Sequence, residues 1–492
     1  MGGISRRTFL QGAAATTGGV VASGSLQTLM ASAAGATKPQ FFELAAVPDL
    51  RDQIVRLWLP PGFRYRSFHD TDGPPVILTD ETTLPGRHDG MGAFRARNGN
   101  VWLVRNHEHN NPLPPATNPQ NAFGKGTPYD QHGLGGTTTI LVTPKGEVLE
   151  SFTSLNGTMM NCAGGRMPWR SWITCEETVN GPDVGPDFTG VSNQFLQQPH
   201  GFIFEVPVGG QSNRKPIMSA GRFAHEAAAY SPREGIVYRT EDNFAFPSGF
   251  YRYIPPSNPV VTGHLEDGGR LQMLKVVGVK EAHLEAAQSI GARYAVEWVD
   301  IANPVPSDDG TFPTTTANND ALNFVGDQGR TLGAAHFSRL EGAVFTKGEI
   351  YFTSTQGGGA AETGPELDAG YGNGKGQVWS YRPRTKTLTC RYQSPNAGAL
   401  ELPDNITAHD KGTIVICEDG PVDNYIRRLD HDGQLQNLAL NRLKRNAAPN
   451  APRFGEEFAG ATFSPDGDTL FVNIQASQAI TFAIWGPWGR VL

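Results

Sequence analysis

The sequence is poor in charge. Asp, Glu, Lys and Arg make up 18 % of its 492 residues, against roughly a quarter in ordinary globular chains. That argues against a long helical array, whose solvent faces need charge. Cysteine is scarce as well. Cys162, Cys175, Cys390 and Cys417 are too few for a disulfide scaffold, and none has zinc-finger spacing. Cys162 and Cys175 are close enough to form one bridge; a metal thiolate is the rival role for Cys175. Long basic runs are missing. Lys and Arg number 41 against 48 Asp and Glu, for a net charge of −7, and the short cluster at residues 441–445 reads as a solvated face. Nucleic acid is not an expected partner. No stretch reaches the ~18 apolar residues of a membrane span, so no stable membrane anchor is expected.

Turn-forming residues are abundant. There are 59 Gly and 36 Pro beside 38 % hydrophobic and 9 % aromatic residues. A large core with that many turns points to an all-β chain of many short strands. Residues 1–36 stand apart. Ser5-Arg6-Arg7-Thr8-Phe9-Leu10 precedes an apolar Ala/Gly/Thr/Val stretch and small-residue cleavage candidates near 31–36. This is the layout of a twin-arginine signal peptide. It implies the twin-arginine export machinery as a partner and a periplasmic or extracellular location. That route carries folded proteins, which suits one loaded with metal before export.

Six segments resemble one another. Each is a β-rich run with a polar or acidic end, centred on Asn106-His107-Glu108, Cys175-Glu176-Glu177, Thr240-Glu241-Asp242, Thr353-Ser354-Thr355, Cys417-Glu418-Asp419 and Asn473-Ile474-Gln475. Turn signals such as Asn98-Gly99, Glu234-Gly235, Lys347-Gly348, Lys411-Gly412 and Asp466-Gly467 precede most of them. Before each turn runs a strand rich in small residues, as in Glu226-Ala227-Ala228-Ala229 and Glu341-Gly342-Ala343. An antiparallel unit repeated six times predicts a six-bladed β-propeller with loop and helical insertions. The expected layout is one propeller domain over 37–492. Its insertion at about 255–330 includes a helix at residues 280–291 and could serve as a lid.

The two strand ends of each hairpin lie together, so their polar residues would converge at one mouth of the channel. So many carboxylates repel one another unless cations intervene. Carboxylates suit hard ions such as calcium; a thiolate favours a transition metal such as iron or zinc. The candidate metal ligands are Glu108, Cys175, Glu176, Glu226, Asp242, Glu341 and Glu418. Arg339 and Glu341 share a strand face. A guanidinium there can clamp an oxyanion, or simply form a salt bridge with Glu341.

Several of these segments, in order, resemble the PhoX-type alkaline phosphatases. They are Trp172-Ile173-Thr174-Cys175-Glu176-Glu177, Ala224-His225-Glu226-Ala227, Thr240-Glu241-Asp242, Ser248-Gly249-Phe250-Tyr251-Arg252-Tyr253, Arg339-Leu340-Glu341-Gly342 and Cys417-Glu418-Asp419-Gly420. The resemblance implies a six-bladed propeller carrying iron and calcium as cofactors at the channel mouth. It implies small phosphomonoesters as substrates and a nucleophile supplied at the metals rather than by a serine. It makes Cys175 the iron ligand, Glu226, Asp242 and Glu341 metal-site acids, and Arg339 the phosphate contact, with Arg339 and Glu341 the catalytic pair. Two other functions fit the residues: a single-calcium propeller lactonase or phosphotriesterase, and a non-enzymatic exported propeller that binds a protein or glycan.

Overall fold

The computed structural model describes residues 43–110, 120–260, 262–448 and 451–491; the leader expected at 1–36 lies outside the described residues. Glycine sets the hairpins. Gly99, Gly235, Gly348, Gly412 and Gly467 all sit at φ between 66° and 98°, a region that other residues enter only with strain. Five of the six hairpins close through these turns. In chain order the six are His88–Arg95 with Val101–His107, Asn161–Met167 with Ser171–Glu176, His225–Ser231 with Ile236–Glu241, Leu340–Thr346 with Glu349–Ser354, Pro403–Ala408 with Ile414–Glu418, and Glu457–Phe463 with Thr469–Gln475. We number these repeats one to six.

Further strands extend the hairpins into five sheets of six, three, nine, four and four strands. The nine-stranded sheet contains repeats three and four, joined through Arg293–Asp300, which pairs with Arg270–Val276 on one side and Thr387–Gln393 on the other. The sixth repeat is completed from the other end of the chain, where Arg64–Phe68 pairs with Ile480–Trp485. The first strands of the repeats lie side by side in chain order, and the last returns to the first. The result is an all-β, β-propeller-like arrangement around an axis.

The small residues of the first strands follow from crowding at that axis. A Cβ on Gly342 would stand 2.6 Å from the Ile406 nitrogen, and one on Gly90 2.6 Å from the Ala163 Cα. Neighbouring repeats meet through apolar faces. Between the third and fourth, Phe250 stacks on Phe352 with centroids 4.2 Å apart, beside Tyr238 and Trp379. Each such buried side chain contributes about 1.5–3 kcal/mol. Below the strand entries the axis holds a cavity of about 430 Å³, lined by Gly90, Ala163, Ala227, Gly342, Asn405 and Gly460 and open toward the hairpin turns.

One local expectation fails, and one open alternative is resolved. Residues 280–291 form no helix. His283 bridges His336 and Ala286 bridges Gly359, so pairing with other loops overrides the local helix preference of Glu281-Ala282-His283-Leu284-Glu285-Ala286-Ala287. The insertion's helix is Asn318–Thr331 instead. Its sequence hides it: it has no side-chain N-cap and contains Gly326 and Gly329. Gly329 is there for packing, because a Cβ would lie 2.2 Å from the Met273 sulfur. The Cys162–Cys175 bridge is likewise not made; all four cysteines are free and buried. No helix among the described residues is long and apolar enough to cross a membrane.

Candidate metal centre

Alternation along the second strands sorts their ends into three roles. The first end position ties one repeat to the next. Asn106 Nδ2 donates to the carbonyls of Cys162 and Ala163 (both 2.8 Å), Thr240 Oγ1 to Glu341 (2.5 Å), Thr353 Oγ1 to Asp404 (2.6 Å) and Asn473 Nδ2 to Asp89 (2.6 Å). The second position turns into its own sheet. Glu176 accepts from the N–H groups of Met159, Gly201 and Phe202 and from His200 Nδ1. Glu241 accepts from Gly249 N and Tyr251 Oη, and Glu418 from Glu401 N, Tyr425 N and Arg427 Nε. The third position, two residues beyond the first, holds Glu108, Glu177, Asp242, Thr355, Asp419 and Gln475.

The first strands carry a matching device. In every repeat the hairpin register slips once: after His88, Asn161, His225, Leu340, Pro403 and Ala459. A bulge sets two residues against one and re-aims a side chain. In the first five repeats the residue at the slip is Asp89, Cys162, Glu226, Glu341 or Asp404. The sixth bulge comes one residue later, and Glu457 pairs directly with Gln475.

These two tiers build three overlapping groups. Cys162, Glu177 and Glu226 form one; Glu226, Glu341 and Asp404 the next; Asp404, Asp419 and Glu457 the third. Within each, one potential ligand atom per residue lies within 4.8 Å of the others. Glu226 and Asp404 are shared. Burial, with the charges of Glu177 and Asp404, pushes the Glu226 carboxyl well above the usual range. Burial, Asp242 and Asp404 do the same to Glu341, and burial, Asp419 and Asp404 to Glu457. Burial and Asp419 bring Asp404 to about 7. Burial, Glu226 and Glu177 hold Cys162 as a thiol. Asp419 Oδ1 is buried without a hydrogen-bond partner. Such a set is costly on its own and suits cations.

Arg339 stands at the rim of this set. Its Nε and Nη2 hold Asp242 bidentately at 3.1 and 2.7 Å, and Nη2 reaches Glu341 Oε1 at 3.1 Å. The Phe244 ring lies 5.5 Å away. Burial works against its charge, but Asp242 and Glu341 more than offset that and raise its pKa.

Of the expected ligands, Glu226 and Glu341 fall inside the three groups. Glu108 and Asp242 are on the axis-facing tier beside them, Glu108 with Gln475 and Asp242 on Arg339. Cys175, Glu176 and Glu418 belong to none of the groups. Cys175 packs in an apolar cluster, its Sγ 3.5 Å from Arg239 Nη2, and burial raises it to about 11. The sulfur in the first group is Cys162. Of the residues in these groups, Cys162, Asp404 and Glu457 had no ligand role assigned from the sequence. For Cys162 and Asp404 the signal was available: each sits at the slip of its first strand, the place Glu226 and Glu341 occupy, whereas Glu457 pairs directly with Gln475 and has no such counterpart.

The structure around Glu176 yields a direct test of its role. Glu176→Gln is expected to cost about 3 kcal/mol of stability, as the partner of a buried charged His200 is lost. Its metal content is expected to stay unchanged. Chemical denaturation and elemental analysis of the same preparation check both.

The fold is shared with the structure of Pseudomonas fluorescens PhoX in complex with vanadate, a transition state analogue. The TM-score is 0.61 at 17 % identity, covering 91 % of this chain and 98 % of that one. Virginiamycin B lyase from Staphylococcus aureus is more distant (TM-score 0.36, 11 % identity, 86 % of this chain and 99 % of that one). So is a gluconolactonase from Xanthomonas campestris (0.34, 12 %, 84 % and 96 %). No curated protein matches the chain. The family model for alkaline phosphatase PhoX matches residues 42–151 and 144–478. With that match over most of its length, the chain belongs to the PhoX alkaline phosphatase family.

Proposed function

We propose that this family member is an exported phosphatase that hydrolyses small phosphomonoesters at a multi-metal iron and calcium site. In this reading the fold is a six-bladed propeller, with the nine-stranded sheet counted as two blades, and the site lies at the acid-lined mouth of its axis. The observation that carries it is the run of three ligand groups sharing Glu226 and Asp404. A run of shared ligands suits several adjacent cations rather than one, which disfavours the single-calcium lactonase. The cost of leaving these buried acids without cations disfavours a metal-free binding module.

Donor chemistry separates the metals. The group with Cys162 offers a thiolate and suits iron. The two all-carboxylate groups suit calcium. When bound, the cations neutralise the phosphoryl oxygens and supply an activated oxygen nucleophile. The protein's own part is positional. Asp242 and Glu341 take up Nε and Nη2 of Arg339, which leaves Nη1 to receive an oxyanion. Glu341 holds the same guanidinium while serving the central group, so it couples phosphate binding to the metal ligands. The buried strand ends keep these carboxylates in place without reorganisation. The twin-arginine leader supports export, by a route that accepts a folded, metal-loaded chain.

The cysteines test the assignment. Cys162→Ser is expected to remove most of the bound iron and lower hydrolysis of p-nitrophenyl phosphate by about a hundredfold or more. Cys175→Ser is expected to keep iron and activity within about twofold, since its sulfur meets Arg239 within a buried cluster and belongs to none of the three groups. Iron retained in Cys162→Ser and lost in Cys175→Ser would reverse the assignment. A metal-replete protein without phosphatase activity would sink the proposed function.

A further inference from the structure

Arg339 has a counterpart. Arg87 stands two residues before Asp89, as Arg339 stands two before Glu341. Both have left-handed backbone, at φ 47° and 39°, a feature of the fold shared by Met160 and Leu402 (both 47°) at the same position in repeats two and five. Both carbonyls accept from the N–H of the axis-facing residue of their own hairpin: Glu108 for Arg87 at 3.0 Å, Thr355 for Arg339 at 2.9 Å. Each side chain reaches an axis-facing acid, Arg87 to Glu108 and Arg339 to Asp242, so both lie at the same mouth. Met160, Ala224 and Leu402 occupy this position in the second, third and fifth repeats. The two arginines belong to repeats one and four, three steps apart in a closed ring of six first strands. They face each other across the axis.

Their surroundings differ. Arg339 is committed to Asp242 and Glu341. Among the described residues Arg87 makes one ion pair, Nη1 to Glu108 Oε2 at 3.8 Å, beyond hydrogen-bond range. Its side chain is 18 % exposed, against 9 % for Arg339. The three ligand groups draw on repeats two to six and take nothing from repeat one. The sector of repeat one thus presents one cationic donor, Arg87, with the acids Asp89 and Glu108, beside the ligand groups of the other repeats.

We infer that Arg87 binds a second anionic group of the substrate, a carboxylate or phosphate on the leaving-group side, while Arg339 takes the phosphoryl group. The favoured substrates are then phosphomonoesters that carry such a second anion. A guanidinium fork matches either group bidentately, and its partial exposure lets a substrate reach it without displacing a buried ion pair. The inference rests on the phosphomonoesterase reading of this mouth.

The test uses metal-replete enzyme at low ionic strength. Its substrates are 4-carboxyphenyl phosphate, the methyl ester of that compound, and 4-phosphonophenyl phosphate. In the wild type, KM for the two anionic substrates is expected to be about tenfold below that of the methyl ester. Arg87→Gln is expected to raise the two anionic KM values about tenfold and leave the methyl ester's KM and all kcat values within about twofold. Arg87→Lys restores part of the loss. A preference for only one of the two anions identifies the group that the subsite takes. Equal KM values for acid and methyl ester in the wild type, or an equal rise for both in Arg87→Gln, overturns the inference while leaving the phosphatase intact. The wild-type comparison decides alone if the variant does not fold. No hydrolysis of any of the three overturns both readings together.

Discussion

Glu226→Gln is expected to lower kcat for p-nitrophenyl phosphate by about a thousandfold or more. Glu226 is shared by two of the three ligand groups, so one substitution weakens two neighbouring cations. The amide keeps the shape and loses the charge, and it leaves a single weak acceptor where two ions need a carboxylate. Metal content should fall with activity. Glu241→Gln is the matched control. Glu241 is equally buried, lies in the same repeat and bonds Gly249 N and Tyr251 Oη rather than facing the axis. It is expected to keep its metals and most of its kcat. Steady-state kinetics with elemental analysis on both variants checks this. More than a tenth of wild-type kcat in Glu226→Gln would contradict the ligand assignment.

Chelation is expected to make the protein's stability strongly pH-dependent. In the metal-free protein, burial and mutual repulsion raise Asp89, Glu226, Glu341 and Glu457 well above their ordinary values and Asp404 to about 7. In the unfolded chain these groups titrate near pH 4. Between those limits the folded state binds more protons than the unfolded one, so stability falls as pH rises, by about 1.4 kcal/mol per pH unit for each such proton. Bound cations remove the effect because they compete with the protons and keep the carboxylates ionised. Tm of the chelated protein should therefore fall steadily from pH 5 to pH 8, while that of the metal-replete protein stays nearly flat. Thermal unfolding across that range reads the difference; parallel curves would show that these acids hold no cations.

Much of this architecture was legible in the sequence because it is repeated. Turn glycines and alternating strands mark each hairpin, and five of the turns fall where the dipeptides placed them. The convergence of acids followed from hairpin geometry. What the sequence did not separate was parity. Glu176, Glu241 and Glu418 stand one residue before Glu177, Asp242 and Asp419, and a one-residue step reverses the face. Glu176 and Glu418 are therefore structural acceptors for backbone N–H groups, not residues of the metal groups. The place of Cys162 beside Glu177 and Glu226 was not legible for a related reason. A bulge redirects the residue after Asn161, and a bulge leaves no single-residue signature. Recurrence could have exposed it, since Asp89, Cys162, Glu226, Glu341 and Asp404 occupy the same place relative to their turns. The helix at Asn318–Thr331 was hidden because its glycines answer to Met273 and the surrounding packing rather than to helix propensity.

The central claim is that overlapping buried acids and Cys162 hold iron and calcium together and that this site hydrolyses phosphate esters. Elemental analysis of the active protein, taken alongside its p-nitrophenyl phosphate activity, tests it most directly. The account predicts iron and calcium in the same preparation, with activity lost on chelation and recovered when both are returned. Full phosphatase activity in protein that contains neither iron nor calcium would contradict it.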